Sequence, residues 1–134
     1  MKKQSYRHIT IWSEEDPDIL FSAYSENLEI DLPIARELID NRLDFTQGVP
    51  CYLLIDFTHV KSVTKEARDY MNSTDGGLKG ILGGAFLSNS VVATMFINLH
   101  LKLSKPVVPA KFFTNRDEAL RWLRKIKVRN TELV

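Results

Sequence analysis

Residues 51–68 read CYLLIDFTHVKSVTKEAR. Tyr52, Leu53, Leu54 and Ile55 are apolar without alternation, which predicts a strand covered on both faces, as in a parallel sheet flanked by helices. Pro50 suits the entry to such a strand, whose first residue can lack a ladder donor. Asp56 ends the run where a strand tip meets water. Thr64 precedes KEARDYM, in which Ala67, Tyr70 and Met71 recur at helical spacing, and its hydroxyl is placed to accept from a first-turn amide. The loop over residues 58–62 therefore falls at the carboxyl end of a central strand, where open α/β sheets place their ligand crevices.

Upstream, residues 6–12 read as a first strand and 19–24 as its antiparallel partner, joined across Asp16-Pro17-Asp18. Ser25-Glu26-Asn27 turns the chain, and Leu28-Glu29-Ile30 reads as a stub of strand. Asp31 caps a helix with Pro33 in its first turn. Periodicity turns Ile34, Leu38 and Ile39 inward and Arg36, Glu37, Asp40 and Arg42 to water. Gln47-Gly48 closes the connection to the central strand.

Downstream, the helix after Thr64 is expected to run to Asn72 and to break at residues 73–77. Residues 81–87 form the next strand, with Gly83 and Gly84 inside it; such glycines mark close approach of another part of the chain or of a ligand. Ser88 or Ser90 then caps a helix over VVATMFINLHLKL. Val92, Phe96, Leu99 and Leu103 make one stripe, Val91, Met95, Ile97 and Leu101 are also apolar, and only Thr94, Asn98, His100 and Lys102 interrupt. A helix apolar on most sides needs more burial than one sheet supplies. Three uses fit it: a homodimer contact, the wall of an apolar ligand cavity, or deep burial within one subunit.

Pro106 stops that helix, and residues 107–113 form the last strand. Thr114 with Asp117, or Asn115 with Glu118, has the spacing of a capping box. The helix RDEALRWLRKIK turns Ala119, Leu120, Leu123 and Ile126 inward, and Arg121, Arg124, Lys125 and Lys127 load its later turns, where cations favour the helix dipole. Residues 128–134 read as a tail, frayed from 130 onward. The order β-β-α-β-α-β-α-β-α describes one α/β domain over residues 1–134 with its core at about 5–127: a mixed, mostly parallel sheet of about five strands, an N-terminal antiparallel hairpin and helices packed on the sheet.

The 134 residues, 44% apolar and 26% charged, suit one folded domain with a real core. The net charge of +1 is split: residues 1–67 carry 7 basic against 12 acidic residues, net −5, and residues 68–134 carry 11 against 5, net +6. An anionic partner could use the basic half; the plainer reading is that the two halves pack together and compensate, or are simply solvated, with no nucleic-acid partner. Cys51 is the only cysteine, which excludes an internal disulfide and fits a reducing, cytoplasmic setting; at a strand start it reads as a small buried hydrophobe. MKKQSYRH lacks the apolar stretch of a signal peptide, and no apolar run reaches the roughly 18 residues of a membrane span.

Asp56, His59 and Ser62 invite a triad reading, but loop neighbours rarely present the chain of hydrogen bonds that a triad needs, and no nucleophile turn is apparent. His8, His59 and His100 share no metal-ligand spacing, and Gly76, Gly77, Gly80, Gly83 and Gly84 form neither a phosphate loop nor a dinucleotide fingerprint. Neither enzyme activity, metal nor cofactor is expected. Helix starts at Thr64, Ser90 and Asn115 should share one edge of the sheet. With Thr58, His59, Lys61, Ser62, Lys65, Ser88 and Arg116 they make a candidate interaction or anion-binding surface. Gly83, Gly84, Val92, Met95, Phe96 and Leu99 make a candidate apolar ligand or dimer surface.

The order of elements and the segment LLIDFTHVKSVTKEARDYM resemble the STAS domain, the fold of bacterial anti-sigma-factor antagonists, over roughly residues 5–127. The chain looks closest to an uncharacterised branch of small STAS-like bacterial proteins, also compared with CRAL-TRIO lipid-transfer domains. There an ITREAR-like segment stands where this chain has VTKEAR, and an apolar-Pro-Phe-Thr ending resembles PVVPAKFFTNRDEALRWL. The resemblance implies a non-enzymatic regulatory module with a protein partner, working as a homodimer, or else a carrier of an apolar small molecule. Signalling STAS domains place an Asp-Ser pair at the start of that helix and phosphorylate the serine. Here Thr64 and Lys65 stand at those positions, so the phosphoserine switch does not carry over.

Overall fold

The computed structural model describes residues 2–89, 98 and 108–132. Among these, eight strands and three helices follow in the order β1 (Lys3–Ser5), β2 (Ile9–Ser13), β3 (Ile19–Tyr24), β4 (Leu28–Ile30), α1 (Leu32–Thr46), β5 (Cys51–Asp56), β6 (Val60–Val63), α2 (Lys65–Met71), β7 (Ile81–Leu87), β8 (Ala110–Phe113) and α3 (Arg116–Glu132). The expected helix over 91–103 lies outside the described residues apart from Asn98.

Six strands form the main sheet in the order β1-β2-β3-β5-β7-β8. The β1-β2 and β2-β3 pairs are antiparallel, whereas β3-β5, β5-β7 and β7-β8 are parallel. β5 is thus interior, as its unbroken apolar run requires. Alternate residues serve two cores. Cys51, Leu53 and Ile55 join Ile11, Leu20, Leu38 and Ala67 under α1 and α2. Tyr52 and Leu54 join Ile19, Phe21, Ala119, Leu123 and Ile126 under α3.

Two strands exceed the expected set. The polar segment KQS forms β1, so the chain enters with a double hairpin whose turn holds Tyr6, Arg7 and His8. Part of the expected 58–62 loop instead forms β6, which pairs in parallel with β4 as a separate two-stranded sheet.

Local chemistry fixes the helix ends. Asp31 Oδ1 accepts from Ile34 N at 3.0 Å and Thr64 Oγ1 from Ala67 N at 3.2 Å. Asn115 Oδ1 accepts from Glu118 N at 3.0 Å, so Asn115 rather than Thr114 caps α3. At the far end of α1, Gln47 and Gly48 both take positive φ and the N–H of Gly48 returns to Leu43 O.

Arg42 does not face water. It is 3% exposed, with Nη1 donating to Lys79 O at 2.8 Å and Nη2 to Gly77 O at 3.0 Å. Its position four residues after Leu38 and three before Phe45, both buried, puts it on the inner stripe of α1. The expected fraying from residue 130 also gives way to helix: α3 runs to Glu132, and Asn130 Nδ2 donates to Tyr52 Oη at 2.7 Å.

Candidate functional site

Four elements meet around the carboxyl end of β5. Asp56 Oδ1 accepts from Thr58 N at 2.9 Å, which bends the chain off the strand tip. Phe57 N donates to Leu87 O at 2.9 Å, and His59 O accepts from Leu28 N at 3.3 Å. The next residues form β6 against β4, with Ser62 opposite Glu29, and Thr64 N donates to Ile30 O at 2.9 Å. The turn, the small sheet and the Thr64 cap hold α2 in one place.

α2 is seven residues long and buries only Ala67. Lys65, Glu66, Arg68 and Asp69 are exposed, and Tyr70 and Met71 are half-buried at its margin. Its carboxyl end is wound into the following loop. Ser73 N and Gly77 N both donate to Tyr70 O, and a Cβ on Gly77 would overlap the Met71 backbone. His59, Lys61 and Ser62 are also exposed, and Thr58 is half-buried. Lys61 Nζ stands 3.7 Å from Glu29 Oε1, an exposed pair of small energetic consequence.

Thr58, His59, Lys61, Ser62, Thr64 and Lys65 therefore lie close together in one stretch of chain beyond the carboxyl end of β5. Asn115 and Arg116 start α3, whose apolar side packs on the other face of the sheet. Arg116 Nη2 bonds Glu14 Oε2 at 2.6 Å, and its guanidinium lies 4.7 Å above the centre of the Phe21 ring. Ser88 N donates to Phe113 O at 2.9 Å beside the ends of β7 and β8. Ser90, Val92, Met95, Phe96 and Leu99 fall outside the described residues.

Asp56, His59 and Ser62 are not joined by hydrogen bonds; the carboxylate of Asp56 is occupied by the turn. Cys51 is 4% exposed, and burial pushes its thiol up to about 11, which keeps it protonated and unreactive at neutral pH. Among the described residues no three His, Cys, Asp or Glu side chains gather as a metal site would need.

Gly83 and Gly84 are buried. A Cβ on Gly83 would meet Tyr52 Cδ1 at 3.2 Å, and one on Gly84 would meet Phe86 Cζ at 3.1 Å. Aromatic packing thus accounts for both. Beside them is a cluster that the sequence did not single out. Phe86 and Phe112 stack at 4.9 Å, with Phe57 5.6 Å from Phe86 and 6.1 Å from Phe112, and Tyr24 5.4 Å from Phe57. The three phenylalanines are half-buried. Their signal was a phenylalanine at or next to the carboxyl end of each of three successive parallel strands. Asn98 reaches this edge: its amide donates to Phe112 O and accepts from Phe112 N, both at 2.7 Å, as a neighbouring strand would.

The charge split has a geometric counterpart. The acidic turn between β2 and β3 meets α3 through Arg116–Glu14 at 2.6 Å, Lys127–Asp16 at 2.6 Å and Lys127–Asp18 at 3.2 Å. The Trp12 indole N–H and Arg116 hold the Glu14 carboxyl below its usual range. Burial pushes Asp16 up, but hydrogen bonds from Lys127 and the Asp18 backbone outweigh it and leave the carboxyl lowered, while Lys127 is raised by the same bond.

The chain resembles a solved structure described as an uncharacterised protein of the DUF3478 family with a SpoIIAA-like fold, from Shewanella loihica PV-4. The two share 19% identity with a TM-score of 0.62 over 90% of this chain and 98% of that one, which shows the same fold, the STAS-like one. No curated protein matches. Over residues 11–127 the chain matches the model of a domain of unknown function, DUF7793, and it belongs to that family.

Proposed function

We propose that this protein is a non-enzymatic regulatory or interaction module of the cytoplasm, working as a homodimer without a phosphoserine switch. The proposed contact surface is the loop, β6 and α2 over residues 58–71. One observation carries the reading: α2 exposes four of its seven residues yet is held at both ends by hydrogen bonds. So short a helix is not stable alone. A short helix fixed in place with its side chains in water supports the reading of a rigid recognition surface.

The test is affinity capture with wild type and a Lys65→Glu/Tyr70→Ala variant run in parallel, after circular dichroism shows that both are folded. Glutamate is favourable in a first helical turn, so the lysine change leaves the helix intact. The expected result is loss of the captured partner by the variant. If the same partners are retained, the surface is wrongly assigned.

A second reading, a carrier or sensor of an apolar small molecule, is favoured by the half-buried rings of Phe57, Phe86 and Phe112 at the carboxyl ends of parallel strands. A fluorescent fatty acid that binds wild type and is lost with Phe86→Ser would support it. No saturable binding would remove it.

A further inference from the structure

The exposed side of α3 carries a row that packing does not explain. Arg121, Lys125 and Arg129 follow at four-residue spacing and are all exposed, with Arg124 exposed beside them. Like charges four apart on a helix repel. The helix dipole rewards only Arg129, which lies in the last turn; Arg121 is near the start. The acidic turn that compensates this helix bonds Arg116 and Lys127 and also faces Arg124, whereas Arg121, Lys125 and Arg129 have no ion pair among the described residues. An open depression of about 610 Å³ lies along the row, lined by Glu118, Arg121, Trp122, Arg124, Lys125 and Val128. Val128 is 57% exposed, and Trp122 is half-buried with its ring 5.7 Å from Phe113.

The geometry points to α3 as a docking site for an acidic peptide segment of a partner protein that carries one apolar anchor residue. Carboxylates of the segment pair with Arg121, Lys125 and Arg129, a span of about 12 Å at the helical rise, and the anchor rests against Trp122 and Val128. Charge complementarity along the row, together with the apolar Trp122 and Val128 beside it, selects this occupant. A nucleic-acid backbone is disfavoured, because it offers no apolar group to cover the exposed Val128 and the Trp122 ring that line the depression. A bilayer surface is disfavoured too, since the apolar stripe of the helix, Ala119, Leu123 and Ile126, is spent in the core. The site does not rest on the α2 surface, which packs over the opposite face of the sheet.

The test is fluorescence anisotropy with a fluorescein-labelled peptide of glutamates around a central Leu-Phe pair, titrated with the full chain. Saturable binding is expected, weakened by salt, and weakened at least about tenfold by Arg121→Glu/Lys125→Glu at unchanged thermal midpoint. Val128→Ser is expected to weaken it without changing its salt dependence, and Lys65→Glu to leave it unchanged. The inference is overturned if folded wild type does not bind the peptide, or if the double variant binds as well. It is also overturned if duplex DNA or phosphatidylserine vesicles bind through Arg121 and Lys125 while the peptide does not.

Discussion

Arg42 shows how one side chain can tie together parts of the chain that periodicity treats as separate. Its guanidinium joins α1 to the loop before β7 through two carbonyls, and burial draws its pKa below the ordinary value. Removing it leaves Gly77 O and Lys79 O without these donors, together with a cavity. Arg42→Ala is therefore expected to lose roughly 2–4 kcal/mol, read from the shift of the urea midpoint at unchanged slope. The position was legible in one respect, since residue 42 falls on the stripe of Leu38 and Phe45. Charge argued for the outside, and the acceptors that make burial affordable lie 35 and 37 residues away. Gly83 offers the converse case, where the sequence pointed to close approach and Tyr52 supplies it at 3.2 Å. Gly83→Ala forces that ring aside and is expected to cost about 1–3 kcal/mol, read in the same denaturation series.

At the scale of elements, the pairing of α3 with the acidic turn sets the response to pH. The folded-state values of Glu14 and Asp16 are depressed from ordinary values of 4.5 and 3.8, so their contribution is present above those values and lost as pH falls through the depressed ones. Lys127 is raised from 10.5, so its contribution is present below that value and lost as alkali takes the pH through the raised one. These side chains are 27–44% exposed, which holds each pair to roughly 0.5–1 kcal/mol. Thermal midpoints measured from pH 6 down to pH 2.5 should fall further for wild type than for a Glu14→Gln/Asp16→Asn variant. Parallel curves would show that the pairs do not contribute. The helices and the long strands of this fold were readable because their apolar periods are strong. β1 and β6 were not, because KQS has no apolar residue and the two valines of VKSV do not alternate, so that these segments become strands only by pairing with β2 and β4. The length of α3 was hidden for a similar reason: Asn130 is held by Tyr52, 78 residues away.

For the whole molecule, the sheet divides two kinds of surface. On one face α1 and α2 pack, and α2 turns a fixed polar surface outward beside β6. On the other lies α3 with its row of cations. The central strand, the alternation of its residues between two cores and the STAS-like order were all legible from residues 51–68 and their neighbours. The candidate surface was legible in part. Thr58, His59, Lys61, Ser62, Thr64 and Lys65 lie together because they are close in sequence, whereas the fold sends Arg116 to Glu14 and Phe21 on the far face. The aromatic group of Phe57, Phe86 and Phe112 needed strand order to be seen, and strand order is a property of the assembled sheet. The most direct test of a homodimeric interaction module is native mass spectrometry of freshly purified protein. The expected result is a dimer of bare chain mass. A chain carrying an apolar compound that denaturation releases, or a bare monomer at all concentrations, would contradict it.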